Sequence, residues 1–115
     1  MIAVIFEVEP HSETRGSYLE TAAELAEHLH KMDGFISVER FQSLSQPEKL
    51  LSLSYWRDEQ AVADWRNLPV HRNAQNAGRS ELFANYRLRV TSVLRDYGLN
   101  DREQAPQDSR NKHDL

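Results

Sequence analysis

"LLSLSYWRDEQAVADWR", residues 50–66, changes its period part-way along. Leu51, Leu53 and Tyr55 alternate with Leu50, Ser52, Ser54 and Trp56, the period of two that belongs to a strand. From Asp58 the period becomes helical. Asp58 is placed to cap the first turn, Glu59 sits where the helix dipole favours an acid, and Ala61, Val62 and Trp65 fall on one side.

Working backward from this junction, "FISVERFQS" (35–43) is strand-like and "SQPEK" (45–49) is turn chemistry, so the two strands form a hairpin. Before them a helix runs from the turn "PHSETRGS" (10–17) to about Met32. Its stripe of Tyr18, Ala22, Leu25, Leu29 and Met32, flanked by Leu19 and Ala26, has a period of 3.6. Asp33-Gly34 ends it, since glycine accepts the left-handed conformation required there. The first strand is "IAVIFEV" (2–8), with Ile2, Val4, Phe6 and Val8 on one apolar face.

Working forward, Pro69 suits the first turn of a new helix and not the interior of an old one. Two short helices with a corner near Asn67-Leu68 follow. The second carries Val70, Ala74 and Ala77 on its packing stripe and ends at Gly78. Residues 81–97 read as a long last strand. Residues 98–115 are polar and aperiodic, a tail expected to be mobile unless docked on a partner.

Strand, helix, strand, strand, helix, strand is the ferredoxin-like split βαβ order, here an α+β domain over residues 1–97 with a four-stranded antiparallel sheet. Its helices cover one sheet face. The other keeps apolar residues of the first and third strands, with Phe35 or Ile36, and the chain has no further element to lay over them. A face-to-face homodimer meets that need.

The bulk numbers agree with one modest domain. At 115 residues the chain buries roughly two-thirds of its unfolded surface, enough for a core without staples. A net charge of -4 argues against a nucleic-acid partner. No apolar run reaches the roughly 20 residues that span a bilayer, and "MIAVIFEVEP" has no basic flank or small-residue cleavage site, which leaves a cytoplasmic protein as the expectation. Cysteine is absent, so thiolate and iron–sulfur chemistry are excluded.

No phosphate loop, metal-ligand cluster or nucleophile motif is present, and no metal site is expected. His28 and His30 point different ways from the end of a helix and read as surface residues; His11 lies in a turn and His113 in the tail. His71 shares a helical face with Gln75 at the margin of the small-residue stripe, and Trp65 precedes the Pro69 corner. An indole wall, an imidazole and an amide around a gap would suit a planar organic ligand. The plainer alternative makes Trp65 a core aromatic and His71 a half-exposed residue satisfied by water. Glu7 shares a strand face with Ala3 and Ile5, either as a half-buried base or ligand group or as a rim carboxylate. Arg79, Arg87, Arg89 and Arg95 read as a solvated or subunit-pairing rim, and Glu39 and Arg40 as solvated.

"MDGFISVERFQS", "LLSLSYWRDEQAVADWR" and the following "H…AQNAGR" resemble the antibiotic biosynthesis monooxygenase family over residues 1 to about 97. The resemblance implies a ferredoxin-like protomer, two sheets paired as a dimeric α/β barrel, and one ligand cavity per subunit between helices and sheet. Some members of that family oxygenate polycyclic phenols without metal or organic cofactor, others bind and degrade haem, and several have no established substrate. The haem degraders use an asparagine near the end of the first strand, a tryptophan in the second helical region and a histidine ten residues later. Trp65 matches the tryptophan, but Gln75 stands where the histidine would be and Glu7 where the asparagine would be. Quinone-forming members place a polar aromatic about where His71 falls. The resemblance therefore implies cofactor-independent oxygenation of a small aromatic or quinol compound, with His71 and Trp65 catalytic and Gln75 and Glu7 binding substrate. Haem binding, or a non-catalytic small-ligand-binding or stress-response dimer, are the alternatives.

Overall fold

Apolar residues at every second position of residues 2–8 and 50–56 bring these two segments together as the centre of the sheet. The structure, a computed structural model, describes residues 1–77 and 82–114, and only the backbone of Val70 and Ala77. Four strands, β1 (Ile2–Pro10), β2 (Phe35–Gln42), β3 (Leu50–Trp56) and β4 (Phe83–Ser92), form one sheet in the order β2-β3-β1-β4. Each neighbouring pair is antiparallel. Helix α1 (Arg15–Leu29) joins β1 to β2; α2 (Glu59–Arg66) and α3 (Pro69–Ala77) stand between β3 and β4. This is the α+β ferredoxin-like arrangement.

The core lies between helices and sheet in two clusters. Leu29, Trp56, Ala61 and Trp65 are buried together, with Ile2, Val4, Phe35 and Val38 against them. Val8, Tyr18 and Leu50 form the second, joined by Phe6 and Phe83. The α2 start is made as its sequence requires: the Asp58 carboxylate accepts from the Ala61 N–H at 2.9 Å. Gly34, at φ +85°, turns the chain from α1 into β2. A Cβ there would stand 2.7 Å from the Ala61 Cβ, so the same glycine lets α2 lie close to the turn.

Three elements differ from expectation. The last strand ends at Ser92, not near Tyr97: Ser92 pairs with Ile2 and the Val93 N–H is bound by the Met1 carbonyl, after which the chain leaves the ladder. In β2 a bulge sets Phe35 opposite Trp56 and Ser37 opposite Tyr55, which turns Phe35 inward to the core and leaves Ile36 50% exposed. The polar tail holds a further helix, α4 (Gln107–His113). Arg102 organises this region, donating to Asp114 at 2.9 Å, to Ser109 at 2.6 Å and to the Gly98 carbonyl at 3.2 Å, and lying over the Tyr97 ring. The expected helix end at Gly78, the rim residue Arg79 and the stripe side chains of Val70 and Ala77 lie outside the described residues.

On the sheet face away from the core clusters, register places Ala3, Ile5 and Glu7 beside Leu51, Leu53 and Tyr55, with Phe41 on β2 and Arg87, Arg89 and Thr91 on β4. Phe41 is 45% exposed. Among the described residues no helix is long and apolar enough to cross a membrane.

Candidate functional site

Small residues on α1 and α3, among them Ala22, Ala26 and Ala74, leave space above the sheet floor, a cavity of about 410 Å³. That volume is within the range of small-molecule sites, roughly 300–1,000 Å³. Its floor comes from alternate residues of all four strands, among them Val38, Ser52, Phe6 and Leu88. Its roof comes from α1, including Tyr18, Ala22 and Leu25, and one end is closed by Trp65, His71, Ala74 and Gln75.

The corner before Pro69 determines how these last residues meet. After α2 the chain turns so that the imidazole of His71 lies on the indole of Trp65, ring centroids 4.5 Å apart and planes 22° from parallel. The ring is also fixed in rotation, because its Nδ1 is 3.1 Å from the Trp65 carbonyl oxygen. A carbonyl only accepts, so Nδ1 carries the proton and Nε2 keeps its lone pair. Burial pushes the imidazole below its ordinary value; the bond to Trp65 works against that shift and nearby Arg72 adds to it. His71 is thereby held as a neutral, oriented proton acceptor.

Trp65, His71 and Gln75, singled out from sequence, thus line one cavity. Glu7 does not join them. It projects from the opposite face of β1, where its Oε2 meets Lys49 at 3.5 Å and Arg89 at 3.3 Å. Partial desolvation pulls its carboxyl upward, but Lys49 and Arg89 outweigh that and hold it below the usual range. The expectation of a substrate-binding Glu7 is corrected by strand parity: at period two, inward-facing Phe6 and Val8 send Glu7 outward.

Arg40 was missed in the opposite sense. It lines the cavity with Val38, two residues before it on the same face of β2. The signal was that period of two, obscured by the apolar Phe41 of the other parity and by Ile36, which the bulge takes out of register. Tyr18 lines the cavity beside Arg40; burial raises its phenol, and the Arg40 guanidinium offsets part of the rise.

The sequence model for antibiotic biosynthesis monooxygenases matches residues 1–77, two thirds of the chain. The chain belongs to this family. A fungal relative, the jasmonate monooxygenase of Pyricularia oryzae, is 44% identical over 93 residues, which is 81% of this chain and 43% of that protein. The chain thus spans less than half the length of that relative. The uncharacterised protein YqjZ of Bacillus subtilis is 32% identical over 93 residues, which is 81% of this chain and 79% of that protein. A Deinococcus radiodurans structure carrying the family's name superposes with a TM-score of 0.78 at 16% identity, covering 86% of this chain and 98% of that one. A Mycobacterium tuberculosis protein gives 0.76 at 20% identity, covering 84% and 98%. At those identities the structures speak for the fold alone.

Proposed function

We propose that the protein is a cofactor-independent monooxygenase that oxidises a small aromatic or quinol compound in the cavity beneath α1 and α3. The observation that carries this reading is His71: half-buried, stacked on Trp65, and held by the Trp65 carbonyl as the tautomer with a free Nε2 lone pair. A ring methylene beside a phenol supplies the electrons itself. His71 takes a proton from it, and the resulting electron-rich anion transfers an electron to O2; the radical pair then combines to a peroxide. The protonated imidazole returns its proton to the distal oxygen, and loss of water leaves a ring carbonyl. In sum, CH2 plus O2 gives C=O plus H2O, four electrons leaving the substrate and four entering O2. Trp65 walls the ring from water, and Gln75 has an amide to orient an oxygen.

The donor set does not fit the haem degraders. Gln75 occupies the ligand position, and Glu7 stands on the far side of the sheet from the cavity. The test is oxygen uptake by purified, chelator-treated protein with an anthrone-type substrate. One O2 consumed per quinone formed, well above the spontaneous rate, is expected. Turnover at the background rate, with the substrate nevertheless bound, would replace catalysis by ligand storage.

A second reading rests on the 44% identity to the jasmonate monooxygenase. Hydroxylating an unactivated C–H bond takes two electrons beyond those the substrate gives, so this reading requires an added reductant. The same assay with jasmonate distinguishes the two: a gain of one oxygen atom only when reductant is supplied favours the second.

The outer sheet face supports a homodimer as the working unit. Ile5, Leu51, Leu53, Tyr55 and the 45%-exposed Phe41 form an apolar surface bordered by the Glu7–Arg89 pair. Family members are often dimeric. Light scattering is expected to give twice the 13.4 kDa chain mass, and Leu53→Arg to return it to that of one chain. A single-chain mass for the unaltered protein at micromolar concentration would end this proposal.

A further inference from the structure

The cavity has the opposite charge character from the protein that encloses it. The chain carries 18 acidic and 14 basic side chains. Among the described residues that line the cavity, however, stand Arg40, Arg66 and Arg72, and no aspartate or glutamate. Outside the cavity, Lys49 and Arg89 meet Glu7, Arg57 meets Asp33 and Asp58, and Arg102 and Arg110 meet Asp114, while Arg15, Lys31, Arg87, Arg95 and Lys112 stand without a carboxylate among the described residues. None of the three cavity arginines has an ion-pair partner among the described residues. Arg72 is occupied by the Asn67 side-chain oxygen, and Arg66, in the last turn of α2, suits the negative end of that helix.

Arg40 has neither partner and keeps its charge exposed to solvent at the cavity mouth. It stands on β2 at the cavity rim, directly across the ladder from Ser52, whose residue also lines the floor, and beside the Tyr18 hydroxyl. The same ladder row continues through Phe6 to Leu88. The floor therefore changes from polar to apolar over three interstrand spacings, about 14 Å. A guanidinium presents a planar fork that matches a carboxylate, and two hydroxyls beside it supply further hydrogen-bonding capacity.

We propose that the cavity selects an anionic ring compound, seating its carboxylate at Arg40, Ser52 and Tyr18 and its ring on Phe6 and Leu88. This assignment rests on the cavity being the substrate site and names the class of substrate it takes. Arg40 is a specificity-determining residue, remote from the proton transfer at His71.

Calorimetric titration with anthraquinone-2-carboxylate, its uncharged 2-carboxamide, and decanoate tests the assignment. The carboxylate is expected to bind roughly 10- to 100-fold more tightly than the carboxamide, the range of a charge-assisted hydrogen-bonded pair, and to weaken with added salt. Arg40→Met should remove that preference and leave carboxamide affinity unchanged; Arg40→Lys, which keeps the charge and loses the fork, should fall between. Equal affinity for the two ring probes, or equal weakening of both by Arg40→Met, would overturn the Arg40 assignment and leave the ring pocket standing. Binding of decanoate alone, sensitive to Arg40→Met, would uphold the anion site and overturn the ring reading. If none of the three binds, both fall.

Discussion

His71→Asn is expected to lower kcat/KM for ring oxygenation by roughly 10²- to 10⁴-fold, the span of a positioned general base. Asparagine keeps a polar group of similar reach but has no basic nitrogen. The pH profile separates this from a packing effect. In the unaltered protein the imidazole is held below its ordinary value of 6.5, chiefly by burial. Activity should therefore be flat above 6.5 and decline only as pH falls through the lowered value. His71→Asn should lose that acid limb as well as the rate. An unchanged limb in the variant would show that another group carries the proton.

The same depression has a consequence for folding. Because folding favours the neutral ring, the unfolded chain binds more protons near and below pH 6.5. His71 thus contributes stability that is present above 6.5 and is lost as pH falls through its folded value. His71→Asn should flatten that part of the stability profile. Trp65→Phe offers a control on the orienting bond. Its acceptor is the main-chain carbonyl, which the substitution leaves in place, so the acid limb should persist even where the altered wall slows turnover.

How much of this was readable in the residues depends on whether the interaction concerned is local. The strand at Leu50–Trp56, the Asp58 cap and the α1 stripe are set by periodicity and by hydrogen bonds within three or four residues, and the structure repeats them. Trp65 and His71 were legible as candidates, but not as a stacked pair. Pro69 announces a corner without giving its angle, and the angle decides whether the two rings meet. The end of β4 was illegible for a different reason: residues 93–97 have a strand-like composition, but a ladder needs a pairing partner, and only register shows that pairing with β1 stops at Ser92. Arg40 was hidden by the β2 bulge, which breaks the parity between Phe35 and the rest of its strand. A polar residue at an inward position was on the page; only register shows that the position is inward.

Trp56→Ala is expected to cost about 3–5 kcal/mol, as large aromatic truncations in a core do. Against a total of roughly 5–15 kcal/mol for a small domain, that leaves the variant near its folding threshold. Trp56 is 2% exposed, packs edge-on against Phe35 and shares its cluster with Leu29, Ala61 and Trp65. Its indole N–H also donates to the Ser54 hydroxyl at 2.9 Å, and Ser54 is itself buried. Trp56→Phe isolates that second contribution: much of the packing stays, while the hydroxyl is left without its donor, at a cost of about 1–3 kcal/mol. Urea unfolding at one fixed protein concentration reads both, with fully exposed Leu44→Ala as a substitution expected to change nothing measurable. A Trp56→Ala shift under about 1 kcal/mol would mean that this cluster does not hold the helices on the sheet. The variant also bears on the site. Trp56 anchors the cluster in which Trp65 sits, so its loss should slow turnover by loosening the wall behind His71. The titrating group stays, and with it the acid limb. Trp56→Ala is thus expected to lose stability and keep the limb, whereas His71→Asn loses the limb. That pairing distinguishes a scaffold residue from a proton carrier in one small cavity.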